Sequence, residues 1–318
     1  SITISEETST NPFVLEGTTN SSVLKYKDKY LSQRLLDLCR RGISASAINL
    51  YNLCPKQFYY EKIIGVQPNE ESNIQMNAST IGLIIHRSLE LLYAPYLNQV
   101  LTKGHMITIS KMIDNTIKQA FIENKIDNIS RGKNLLVFEA ISRIVKKFIK
   151  SESDLVKAGN KIIIKFLENS VKGFLKSSNR FLKKNMLINF RGNIDRVDTF
   201  NGQYRIVDYK TGFVNPSELK SDSLLDLNEK PKILQLLLYG WLLTQKSGYK
   251  NTSFIVGVIN LRASNFTFQE CVINNNTLVN RHLLNQFEKE LLSIILNMFD
   301  PSQTFDHLNK DKPCYFCD

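Results

Sequence analysis

Apolar residues recur with a helical period through the first half of the chain. Leu24 to Arg41 places Tyr30, Leu31, Leu35, Leu36 and Leu38 on a partly apolar face, and Gly42 is positioned to stop that helix. Ser44 or Ser46 can cap a second helix beginning at Ala47. It should end near Cys54, because Pro55 disfavours helix in the residue before it, and a short helix carrying Phe58, Tyr59 and Tyr60 follows. Residues 79–93 put Ile81, Ile84, Ile85, Leu89 and Leu92 on one stripe, with His86 and Glu90 sharing another face. Two more helices are expected over 107–124 and 134–156; the second has Leu136, Ala140, Ile144, Phe148 and Ile149 as apolar positions. Its opposite side carries Arg143, Lys146, Lys147 and Lys150, by default a solvated face.

The period then changes to that of strands. Lys161 to Leu167 is β-branched, and Glu168 with the segment to Leu175 can continue the same sheet, although a short apolar run of this kind also suits a helix. Residues 186–212 hold two runs of β-branched and aromatic residues on either side of Asn201-Gly202, which predicts a hairpin with a two-residue type I′ turn. The turn fixes the register: Phe200 pairs with Gln203, Asp198 faces Arg205, and Asp195 faces Asp208. Residues 213–229 are polar and read as an exposed loop. Residues 231–246 form a very apolar helix opened by Pro231 and packed on the sheet, 253–261 a core strand, 265–273 an alternating strand and 277–298 a final helix. Residues 1 to 24 are rich in Ser, Thr, Asn and Glu without periodicity, as in a linker.

These elements describe an α/β fold: a small mixed sheet flanked by helices, preceded by a helical subdomain. The expected division is a linker and lead-in helix over 1–42 and one domain over 43–318, mainly helical to 160 and sheet-containing from 161. With 318 residues and 42% hydrophobic content the chain can bury a proper core. A net charge of +11 points to a polyanionic partner, nucleic acid first and an anionic membrane surface second. No apolar run approaches the roughly 20 residues of a membrane span, and the N-terminus has no basic-then-apolar leader, so a cytoplasmic location is expected. Five irregularly spaced cysteines do not suggest a disulfide scaffold; Cys39 and Cys271 read as ordinary apolar residues.

The hairpin carries the chemistry. Two carboxylates held about 5 Å apart repel by roughly 3 kcal/mol at an effective dielectric near 20. A hard divalent cation bound by carboxylate oxygens compensates such a pair. Lys210 lies on the same strand face one step beyond Asp208, where it can steady an anion or orient a water. Metal, carboxylates and amine together make a minimal phosphodiester-cleaving site. The competing reading is a surface hairpin in which Lys210 merely neutralises Asp208.

The run GNIDRVD followed by IVDYKTG resembles the signature of PD-(D/E)XK nucleases, in the form found in RecB-like and AddB-type exonuclease domains. The resemblance implies a restriction-endonuclease-like core and a catalytic set of Asp195, Asp208 and Lys210, with the Tyr209 main-chain carbonyl also on the metal. Gly82 to His86 matches the family's Gly-x-x-x-His helix, which implies His86 as a further metal ligand. Gly82 would then allow that helix a close approach. Gln235 and Tyr239 match a Gln-x-x-x-Tyr motif that follows the lysine strand and sits near the active site; by spacing alone they would be a buried hydrogen-bonding pair. Cys54, Cys314 and Cys317 match three of the four cysteines that hold a [4Fe–4S] cluster in AddB-type domains, with the fourth lying beyond Asp318. An incomplete site of this kind is expected if the chain is a piece of a longer one.

By this resemblance the chain is a DNA exonuclease dependent on Mg²⁺ or Mn²⁺, acting beside a helicase subunit or a fused helicase-like region in recombination and repair. The alternative to a solvated face for the basic side of residues 134–156 is part of a DNA channel. The alternative to an enzyme is a DNA-binding or scaffolding module of the same fold that does not cleave. The intact Asp195, Asp208 and Lys210 weigh against it.

Overall fold

A computed structural model describes residues 29–66, 77–126, 129, 131–177, 186–263 and 265–306. The expected linker, Cys314 and Cys317 lie outside the described residues. Helices α1 (Lys29–Arg41), α2 (Ala45–Leu53) and α3 (Pro55–Phe58) come first, α3 running into a wider π-helical turn over Tyr59–Ile64. Gly42 stops α1 at φ +97°, a conformation that favours glycine, and Ser44 caps α2 by accepting from Ala47 N. Helices α4 (Ala78–Tyr93), α5 (Lys103–Glu123) and α6 (Gly132–Lys157) follow. Strands β1 (Ile162–Ser177), β2 (Met186–Phe200) and β3 (Gln203–Lys210) form an antiparallel meander. Short strand β4 (Lys220–Ser221) and α7 (Pro231–Thr244) lead to β5 (Phe254–Asn260), which pairs in parallel with β3. Strands β6 (Phe268–Glu270), β7 (Val272–Ile273) and β8 (Leu278–Val279) and helix α8 (Arg281–Phe299) follow.

The main sheet has the order β1-β2-β3-β5-β6, with β8 also on β5. It is mixed and covered on both faces. Helices α1, α2, α7 and α8 pack on one face against Ile206, Val256 and Val258; α4, α5 and α6 pack on the other against Val207, Tyr209 and Ile259. Neighbouring residues such as Ile206 and Val207 thus enter different cores, as the two-residue strand period requires. This is the restriction-endonuclease-like arrangement expected from the sequence.

The strand alternation fails at a β1 bulge between Ile164 and Phe166 and again, on both strands, further along. Ile194 and Val197, three apart on β2, both enter the α7-side core, as do Phe166 and Val171, five apart on β1. An odd separation cannot share a face of a regular strand, so both strands change phase between those positions. Glu168 lies at that break on β1, with φ +41°, between the pairs Leu167↔Arg196 and Asn169↔Ile194 and therefore across from Asp195. Such a backbone in a non-glycine residue is strained, and here it turns a carboxylate toward β2.

Other expectations need correction. Residues 213–229 are exposed at most positions, as expected, but are not a plain loop: Val214, Leu219, Leu224 and Leu227 are buried, and β4 pairs with β7 in a second small sheet. Their apolar residues are spaced irregularly because they plug gaps around α7 rather than form a regular face. On α6 the buried side is Phe138, Ile141, Val145, Phe148 and Ile149, while Leu136 is 72% exposed and Ala140 is also outward. The expected strand over 265–273 is broken into β6 and β7, and the final helix begins at Arg281 after β8.

Candidate active site

The hairpin places the acidic pair. Asn201 and Gly202 both take positive φ, +51° and +89°, as a type I′ turn demands, and pairing runs from Phe200↔Gln203 to Arg196↔Val207. It stops one step short of the two aspartates. There the Asp195 carboxylate, not a backbone carbonyl, accepts the Tyr209 N–H at 2.7 Å. Asp208 lies close by, its ladder continuing on β5 opposite Val258. Burial first, and the Asp195 charge second, push the Asp208 carboxyl up to about 6. Lys210 counters this, with Nζ 2.8 Å from Asp208 Oδ2. That close, charge-assisted contact holds Oδ2, which is otherwise without a partner among the described residues.

Helix α7 supports the pair from the sheet side. Gln235 Nε2 donates to Asp208 Oδ1 at 3.0 Å and to the Tyr239 hydroxyl at 2.8 Å, while its Oε1 accepts from Lys210 Nζ at 3.1 Å. One amide thus fixes the carboxylate, the amine and the phenol together. The Tyr239 ring fits against β2 because residue 192 is glycine: a Cβ there would stand 2.8 Å from the ring. The motif spacing identified Gln235 and Tyr239, whereas Gly192 carried no signal that one sequence reveals.

Helix α4 closes the other side. Gly82 lies against the end of β3, where an added Cβ would meet Thr211 Oγ1 at 3.3 Å. One turn on, His86 Nε2 is 3.0 Å from the Tyr209 carbonyl, and Nδ1 is 3.3 Å from Glu168 Oε1 and 3.5 Å from Asp195 Oδ1. Both nitrogens face acceptors, an arrangement that favours the protonated ring while no cation is bound. Burial lowers its pKa, but hydrogen bonds and charge from Asp195 and Glu168 outweigh that and raise it to about 10. That proton contributes stability fully present below the imidazole's ordinary 6.5 and lost as pH rises through about 10.

The ligand atoms of His86, Glu168 and Asp195 lie within 4.8 Å of one another. The structure therefore brings together His86, Asp195, Asp208, the Tyr209 carbonyl, Lys210, Gln235 and Tyr239, and adds Glu168. Reading β1 alone gave Glu168 no role, since its place depends on the register with β2. Carboxylates, a main-chain carbonyl and an imidazole on one centre are a donor set that fits a hard divalent cation. A bound cation must displace the His86 proton, so affinity should rise about tenfold per pH unit between roughly pH 6.5 and 8.5. Calorimetry of Mn²⁺ binding in buffers of different ionisation enthalpy measures both the slope and the released proton. A flat profile would remove His86 from the ligands.

Cys54 does not reach this centre. It is buried, and its sulfur accepts from Gln57 N at 3.3 Å as the cap of α3. His86, Asp195, Asp208 and Tyr209 border a cleft of about 440 Å³ with Gly82, Lys210 and Gln235 in its walls. Residues 42–318 match the family model for the PD-(D/E)XK nuclease superfamily, and the chain belongs to that superfamily. No curated protein matches the chain.

Proposed function

From membership of the PD-(D/E)XK superfamily we propose that this chain is a metal-dependent exonuclease that hydrolyses phosphodiester bonds at DNA ends, with Mg²⁺ or Mn²⁺, in the manner of RecB-like and AddB-type domains. The observation that carries the reading is the convergence of His86, Glu168, Asp195 and Asp208 beside Lys210 at the end of the hairpin. In this reading His86, Glu168, Asp195, Asp208 and the Tyr209 carbonyl hold the cation. When bound, the cation supplies positive charge against the phosphate and makes a nearby water more acidic.

The remaining work falls to the chain. Asp208 keeps Oδ1 on Gln235 and Oδ2 beside Lys210, so its part is to hold the cation and, with Lys210, to orient the attacking water. Lys210 Nζ also stands where it can meet the negative charge that develops on the phosphate. Gln235 keeps Lys210 and Asp208 in register, and Tyr239 keeps Gln235 from turning. The net charge of +11 draws in the substrate backbone, with affinity that falls steeply as salt rises.

A role beside a helicase, in recombination and repair, is part of the same proposal. So is an iron–sulfur cluster held by Cys54, Cys314, Cys317 and a cysteine of a longer chain. Among the described residues no helix is long and apolar enough to cross a membrane. The exonuclease reading is tested by incubating end-labelled linear duplex and closed circular DNA with the protein and Mg²⁺ or Mn²⁺. Linear DNA is expected to be degraded and circular DNA to persist. Equal loss of both would make the enzyme an endonuclease.

A further inference from the structure

Strands β1 and β2 run on past the catalytic centre as a two-stranded ribbon. Pairing of β2 with β3 stops at Arg196, and from there outward β2 keeps β1, with a further bridge between Phe190 and Ile43. One face of the ribbon is packed. Val171, Leu175, Ile188 and Phe190 enter the α7-side core, and the Leu242 side chain lies against Gly173 and Gly192. The other face looks to the side of α4, α5 and α6. Among the described residues none of β1 beyond Leu167 joins the core under those helices, so this face is open. Its rungs are Ser170↔Asn193, Lys172↔Arg191, Phe174↔Asn189 and Lys176↔Leu187. Asn193, at the inner end, donates to Glu168 Oε2, so the face begins at the catalytic carboxylates. From Asn193 to Leu187 it is about 20 Å long.

The charge on this face has one sign. Residues 169–177 and 186–194 hold Lys172, Lys176 and Arg191 and no acidic residue. All three cations are exposed, and among the described residues none has a carboxylate partner. Lys172 and Arg191 occupy one rung, where like charges destabilise a strand pair. The end of α1 borders the same face: Asn189 Nδ2 donates to the Arg40 carbonyl at 2.9 Å, and the Arg191 stem lies along Gly42. The cations thus stand on an anchored scaffold, at a cost to the fold that a bound polyanion offsets. Phosphates fit them, and contacts to phosphates alone need no unpaired base. A membrane surface fits less well, since the apolar groups on these rungs are only the half-exposed Phe174 and Leu187.

We propose that the open face of the β1–β2 ribbon grips the phosphate backbone of a DNA duplex on one side of the cut, through Lys172, Arg191 and Lys176. Arg191 is about 13 Å along the strand from Asp195, which at the ~3.4 Å rise of one strand is about four nucleotides from the scissile phosphate. This rests on the nuclease reading for what the grip serves, but its binding claim stands alone.

The test is fluorescence anisotropy of the full chain without divalent metal, using a labelled blunt duplex of roughly 20 base pairs across a range of salt concentrations. Lys172→Gln and Arg191→Gln are each expected to weaken binding roughly eightfold at ~0.1 M salt and to make the slope of log K against log salt shallower by about 0.9, the double variant by about 1.8. Lys289→Gln, exposed on α8 in the opposite layer, removes the same charge and should leave the slope as it is. The melting temperature of Lys172→Gln should be unchanged or higher, because opposed charges are relieved. A parental slope in the double variant, an equal loss in Lys289→Gln, or a lower melting temperature for Lys172→Gln overturns the grip. So does a double variant that loses binding only to vesicles containing phosphatidylglycerol, which would make the face a membrane contact. Digestion of linear DNA by the parent chain with Mn²⁺ separates the two claims. If the parent lacks it, the nuclease reading falls, while the anisotropy still decides the grip.

Discussion

Replacing Asp208 by alanine is expected to lower Mn²⁺-dependent digestion of linear DNA about a thousandfold while leaving the melting temperature unchanged or higher. The two effects diverge for one reason. Asp208 is buried next to Asp195, and its pKa is raised to about 6. Its ionised form therefore opposes folding above that pH, and the penalty disappears as pH falls toward the ordinary 3.8. Removing the carboxylate removes the repulsion together with the function. Lys210→Ala should lose activity on a similar scale, but added metal should not restore it, because the amine does not hold the cation. Metal can partly restore Asp208→Ala, whose defect includes weaker binding. Digestion by both variants at the parental rate would reject the site assignment. A lower melting temperature for Asp208→Ala at pH 8 in metal-free buffer would reject the electrostatic account.

The second large effect concerns stability. Arg196→Met should destabilise the fold by about 3–5 kcal/mol, lowering the melting temperature by on the order of 10 °C. Arg196 is fully buried between β2, α4 and α6. It donates to Asp198 at 2.7 Å and to the Tyr209 hydroxyl at 3.2 Å, and pairs with Glu152 at 2.9 Å. Asp198 is also held by Arg205 at 2.8 Å, and Glu152 by the Tyr93 hydroxyl. Burial alone would raise the Asp198 carboxyl, but the two arginines outweigh it and hold it below the usual carboxylate range. Its contribution is present above the ordinary 3.8 and is lost as pH falls through the lower folded value. Without Arg196, Glu152 loses its arginine and Asp198 keeps only Arg205, which leaves buried charge under-compensated. The network also bears on function. It fixes Tyr209, whose backbone meets both Asp195 and His86. Calorimetric unfolding measures the cost, and a loss below about 1 kcal/mol would show that the network behaves like a surface one.

Much of the site was legible because its signals are local. Asn201-Gly202 sets the hairpin register within a few residues, and that register aligns Asp195, Asp208 and Lys210 at one end of the sheet. Gln235 and Tyr239, or Gly82 and His86, are one helical turn apart, so spacing alone puts each pair on a shared face. The partner of each pair across the cleft was supplied by resemblance to a family, not by periodicity.

The sequence by itself thus determined the hairpin, the helices, their facing residues and an excess of positive charge. Tertiary structure decided Glu168, the Arg196 network and the outward turn of Leu136. Glu168 reaches His86 only because β1 and β2 change phase at the same rung, and nothing in the two segments announces where strands distant in sequence will break. Leu136 and Ala140 keep the helical spacing of a core stripe, yet α4 and β5 leave them uncovered. Periodicity reports which residues share a face, and only packing between separate elements determines what that face meets.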